Sequence, residues 1–165
     1  MTGPFRGLGR LVCCLAWLAG TATFSADAPL RPLTVCEVLR DLSAQEGKSI
    51  AVLGRYSFRG NGRWVGEQAC DPDAGVPPTL WLVENIDAPR PPDDFELDAV
   101  VLQRKWTEMQ RHTTLAKFRF GSTDYDRWAV IFGKVEARKG EDAKKAAANL
   151  VYRGSGVILF LTTER

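Results

Sequence analysis

Lys48-Ser49-Ile50-Ala51-Val52-Leu53-Gly54-Arg55-Tyr56-Ser57-Phe58 is the stretch on which the fold turns. It reads as a strand that is apolar on both faces at first and alternates afterwards. Gly54 sits inside it, where glycine commonly marks a bulge or a sharp bend. Arg59-Gly60-Asn61-Gly62 follows as a turn signal. Arg63 to Gln68 is the returning strand, so this region is expected to be a hairpin.

Further strands follow downstream. Thr79 to Val83 is a short third strand beyond the Asp-, Gly- and Pro-rich loop 71–78. Arg127 to Ala137 is the clearest strand of the chain and, like the first, carries an internal glycine, Gly133. Val151 to Leu161 ends the series after a glycine turn. Two helices are expected between and before the strands. Thr34 caps the first, where Val35, Val38, Leu39 and Leu42 recur at helical spacing and Gly47 ends the pattern. The second spans Asp94 to about Arg111, with Phe95, Ala99, Leu102 and Trp106 on one side. Thr113 to Phe120 is either strand or irregular, and Arg138 to Asn149 is an exposed helix or a loop. The expected fold class is mainly β with helices: a five-stranded, OB-like β-barrel with an N-terminal helix and a helix between strands three and four.

Two short motifs resemble an OB-fold. Lys48 to Tyr56, ending Val-Leu-Gly-Arg-Tyr, looks like its first strand, and Ile131-Phe132-Gly133-Lys134-Val135 looks like its fourth. Thr34-Val35-Cys36, the Val52-to-Tyr56 strand and Cys70 together resemble small secreted bacterial proteins of uncharacterised role. That resemblance covers most of residues 34–161. It implies a compact exported barrel and carries no activity with it.

The N-terminus reads as a secretory signal. Arg6 and Arg10 precede the uncharged apolar run Leu11 to Ala19, and small residues follow from Gly20 to Ala26. The apolar run is short for a bilayer span, which needs about 20 residues. Cleavage is expected between Ala22 and Ala28. The organisation is therefore 1–26 signal peptide, 27–33 Pro-rich spacer and 34–165 a single domain, acting in the periplasm or outside the cell.

Cys13 and Cys14 leave with the signal. Cys36 and Cys70 remain, and in an oxidising compartment a remaining pair is expected to be a disulfide. A redox or metal pair is the alternative. The spacing is far from Cys-x-x-Cys, and His112 is the single histidine available to complete a metal set. No metal and no cofactor is implied.

The chain holds 22 Lys and Arg against 20 Asp and Glu. So even a balance offers no global attraction for nucleic acid, which is not expected as a ligand. Asp71, Asp73 and Gly75 only faintly match a calcium loop. Asp93, Asp94, Glu96 and Asp98 could serve a carboxylate-dependent hydrolase, or simply favour the start of a helix. Gly60-Asn61-Gly62 joins two strands and is a hairpin rather than a phosphate loop.

The grouping of most interest is basic and aromatic. Arg55, Arg59, Arg63, Trp64 and Trp81 are the ligand-binding candidates, because the second and third strands of an OB barrel form its usual ligand face. The competing reading places Trp64 and Trp81, with Tyr56, in the core. The expected function is an exported, disulfide-stapled, non-enzymatic binding or structural module for an extracytoplasmic protein or glycan. A hydrolase and an inhibitor or immunity-type protein are the alternatives.

Overall fold

The structure, a computed structural model, describes residues 28–160 apart from 69, 71–76, 94 and 120. The expected signal segment and the faint calcium loop lie outside the described residues.

Among the described residues the elements run β1 (Leu33–Thr34), α1 (Val35–Arg40), α2 (Leu42–Gln45), β2 (Ser49–Arg59), β3 (Gly62–Gly66), β4 (Thr79–Glu84), α3 (Ala99–Met109), β5 (Tyr125–Ala137) and β6 (Ala148–Phe160). A 3₁₀ turn, Gly140–Lys144, links the last two strands. The strand β2 pairs antiparallel with β3, and β3 with β4. The strand β4 runs parallel to β6, and β6 is antiparallel to β5. Ten residues of β5, Tyr125 to Lys134, then pair back onto β2 and close a five-stranded mixed barrel. The two-residue β1 adds to β2 in parallel at Val52 and Leu53. The expected fold class is thus the observed one.

The double apolar character of β2 has a direct cause. Its even positions, Val52 and Tyr56, face the barrel interior with Val65, Leu80, Ile131 and Leu150. Val35 and Val38 of α1 close one end of this core. Its odd positions, Ala51 and Leu53, face outward into a second core with Trp128, Val130 and Phe132 of β5. Leu102, Trp106 and Met109 of α3 cover that outer core, with help from Leu30, Leu97 and Leu115. Full burial of one such side chain contributes roughly 1.5–3 kcal/mol, so the β2–β5 pair, buried on both faces, is the main source of stability.

Gly133 earns its place by close approach. A Cβ there would sit 2.6 Å from the Val151 carbonyl oxygen. The β5–β6 register slips at this point, between Ile131 and Gly133.

Two element boundaries differ from expectation. The second helix starts at Ala99 rather than Asp94, with Asp98 as its cap. The residues before it are drawn into an extended pairing: the Leu30 N–H donates to the Glu96 carbonyl and the Asp98 N–H to the Leu30 carbonyl. The segment 28–34 is therefore fastened along the domain, with Leu30 bridged to Leu97. The last strand begins at Ala148 and continues through Gly154-Ser155-Gly156, which had read as a turn. Its parallel register with β4, from Leu80–Ala148 to Glu84–Tyr152, fixes the strand before these residues, and pairing with β5 resumes beyond them at Val157. Residues 113–119 are irregular.

Tyr56 and Tyr152 are buried in the barrel, 6% and 3% exposed. Burial is the largest cause that pushes both phenol pKa values above their ordinary value. Unfolded tyrosines therefore release their protons first. The stability these groups contribute is intact below about pH 10 and is lost as pH climbs through and beyond that value. Urea midpoints measured across this alkaline range are expected to fall, and the Tyr56→Phe, Tyr152→Phe double variant should fall less steeply. Parallel slopes for the two proteins would refute the assignment.

Candidate functional site

Alternation decides which side chains leave the barrel. In β3, Val65 points inward and Trp64 outward; in β4, Leu80 and Leu82 point inward and Trp81 outward. The register sets Trp64 directly opposite Trp81. The half-buried indoles stack with centroids 5.9 Å apart and planes 18° from parallel.

Cations extend the pair at both ends. The Arg59 guanidinium carbon lies 5.6 Å from the Trp64 ring centre and 4.3 Å from that of Phe118. Arg138 lies 5.6 Å from the Trp81 ring centre. The result is a row, Phe118–Arg59–Trp64–Trp81–Arg138, across the outer face of the barrel. Each exposed cation–ring contact of this kind stabilises by about 0.5–1 kcal/mol. Gly62 is what lets Trp81 lie down: its φ is +142°, and a Cβ there would run into the Trp81 ring.

A cleft opens beside Trp81. Asn61, Pro77, Thr79, Arg138, Lys144 and Lys145 line it together with Trp64 and the single acid Asp142. Arg138 pairs with Asp142 at 3.2 Å, and Lys144 with Glu141 at 2.6 Å. Lys144 and Glu141 are largely in water, so that pair is weak and leaves the lysine free to exchange partners.

The five candidates separate. Arg59, Trp64 and Trp81 come together in the row. Arg55 turns away: it donates to the Thr114 carbonyl at 2.9 Å and lies 4.0 Å from Asp126. Arg63 points toward the barrel end, donating to Glu84 at 2.9 Å and to the Tyr152 hydroxyl at 3.1 Å. Arg59 is itself anchored from beneath. It donates to Asp126 at 2.7 Å and to the Tyr125 carbonyl at 2.8 Å. The Asp126 side chain is fully buried, and its second oxygen accepts the Ala116 N–H at 2.7 Å. One carboxylate thus positions Arg59 and straps residues 114–118 to the barrel. Sequence reading missed Arg138, Lys144, Lys145 and Asp126. The only available signal was the basic run after the fourth barrel strand; Asp126 has none.

A second cluster surrounds the cysteines. Cys36 and Cys70 form the disulfide, with Cα atoms 5.0 Å apart. Buried Glu67 accepts the Cys36 N–H at 2.9 Å through one oxygen, and its other oxygen lies 3.3 Å from His112 Nε2. Thr34 and Glu37 cap α1 reciprocally, and Lys105 pairs with Glu37. These contacts tie α1 to the end of β3 and to α3. His112 is an exposed residue, and Glu67 as its partner was not legible in the sequence. Among the described residues there is no group of three or more His, Cys, Asp and Glu that could hold a metal ion.

The acids weighed for hydrolysis have other work or none in common. Asp98 accepts the Val101 N–H at 3.0 Å as the α3 cap and lies 3.3 Å from Arg31. Asp93 and Glu96 are exposed, and Asp94 lies outside the described residues. No described helix is long and apolar enough to cross a membrane.

Comparison with protein-family models, with curated proteins and with solved structures returns no match for this chain. The site is therefore read from its own geometry.

Proposed function

We propose that this domain is an OB-like, non-enzymatic binding module that works outside the cytoplasm, and that the outer face of β3 and β4 is its ligand surface. The Trp64–Trp81 stack carries the reading. Two indoles set side by side on the outside of a barrel, framed by Arg59 and Arg138, have the composition of binding hot spots. They also occupy the second and third barrel strands, the face that OB barrels commonly use. The parallel β4–β6 pair within the otherwise antiparallel barrel supports the OB-like classification. The disulfide supports an oxidising compartment, as does the signal-like N-terminus.

The ligand is anionic, since three cations and one acid line the cleft. A glycan or a protein fits the extracytoplasmic setting. Exposed Val83 and Ile86, beyond Trp81 along β4 and its following loop, would extend the surface for a protein partner, as an inhibitor or immunity-type role requires.

Tryptophan fluorescence of the exported domain, titrated with dextran sulfate, polygalacturonate, neutral dextran and polyglutamate, tests this reading. Saturable, salt-sensitive binding of an anionic polymer is expected, and Trp81→Ala should weaken it about tenfold, roughly 1.4 kcal/mol. Binding that ignores Trp64→Ala and Trp81→Ala alike would remove the face from consideration.

A further inference from the structure

We propose that Asn61 is a site of spontaneous deamidation that installs a carboxylate in the Trp81 cleft. The observation is a conflict at the hairpin corner. Gly62 is required by its φ of +142° and by the Trp81 ring lying where its Cβ would be. The residue after Asn61 therefore cannot gain a side chain without displacing Trp81. Glycine is also the residue that leaves the following backbone nitrogen open to the asparagine side chain. The corner is open to solvent base and water: Gly60 and Asn61 are both exposed, and nothing lies within 4 Å of the position a Gly60 Cβ would take.

The step balances without a redox partner. The Gly62 backbone nitrogen gives up its proton to solvent base and attacks Cγ of Asn61. The new N–C bond closes a five-membered imide, the Cγ–Nδ2 bond breaks, and ammonia leaves with a proton from solvent. Water then opens the ring at either carbonyl to give aspartate or isoaspartate. One water enters and one ammonia leaves.

The other two asparagines are poorly placed for it. Asn85 precedes β-branched Ile86, and its side-chain oxygen is held by the Asp87 N–H at 2.9 Å. Asn149 lies within β6 and precedes buried Leu150. The new charge at Asn61 would share the cleft with Arg138, Lys144 and Lys145. Competition with an anionic ligand for these cations follows, and that consequence alone rests on the ligand-surface reading above.

The test incubates the folded, disulfide-intact protein in mildly alkaline buffer and follows tryptic peptides by mass. The peptide 60–63 is expected to gain one dalton and to split into aspartate and isoaspartate forms. Its conversion should be on the order of tenfold faster than that of the Asn85 or Asn149 peptides. Equal rates at the three sites would overturn the proposal. So would conversion of Asn61 in urea but not in the folded protein. Asn61→Asp separates the two readings: weaker dextran sulfate binding by this variant ties the modification to the ligand face. Rapid deamidation with unchanged binding by Asn61→Asp upholds the modification and counts against the ligand face.

Discussion

Asp126→Ala is expected to lower the stability of the domain by about 3 kcal/mol, measured as the shift in urea unfolding. Removing one partner of a buried ion pair costs about 3–5 kcal/mol, because the other charge is left buried and uncompensated. The lower end applies here, since the Arg55 and Arg59 side chains retain 24% and 21% exposure. The loss has several parts. Arg59 loses its 2.7 Å acceptor, the Ala116 N–H loses its partner, and the strap over β2 and β5 comes free. Asp126→Asn keeps an acceptor for one of these donors and should recover part of the loss. Trp64 fluorescence should change in both variants, because Arg59 covers its ring. A loss below about 1 kcal/mol, the range of an exposed pair, would show that Asp126 is not the anchor its burial implies.

The Cys36→Ser, Cys70→Ser double variant is expected to lose about 3–4 kcal/mol. The cysteines lie 34 residues apart, and closing a loop of that size restricts the unfolded chain by roughly this amount. The native state should change little. Val35 and Val38 still plug the barrel, and Glu67 and the capping box still hold the start of α1. The circular dichroism spectrum is therefore expected to stay the same while the urea midpoint falls. Reducing the parent protein should reproduce the effect. Loss of β signal in the double variant would mean that the bridge shapes the barrel rather than restricting the unfolded chain.

Much of the barrel was legible because its signals are local. The β2 stretch is apolar on both faces, and both faces are buried. The strand β5 was equally plain, and the Cys36–Cys70 pair followed from cysteine number and the expected compartment. The α3 boundary was misjudged because Phe95 falls at helical spacing with Ala99 and Leu102, while Leu30 draws Glu96, Leu97 and Asp98 into an extended pairing. Gly154-Ser155-Gly156 reads locally as a turn, yet the strand runs through it because pairing holds it on both sides: β4 and β5 pair as far as Tyr152, and β5 pairs again from Val157.

The site was only half legible. Arg59, Trp64 and Trp81 were named together, but so were Arg55 and Arg63, which belong to other neighbourhoods. The sequence by itself determined that these residues lie on or beside adjacent strands and that the middle strands are rich in aromatic and basic groups. The tertiary structure alone decided that Trp64 and Trp81 face outward, because a short strand has the same alternation whichever face is buried and a one-residue shift exchanges the faces. The shift is set by the long β2–β5 pairing, which brings Asp126 beneath Arg59 across 67 residues of chain.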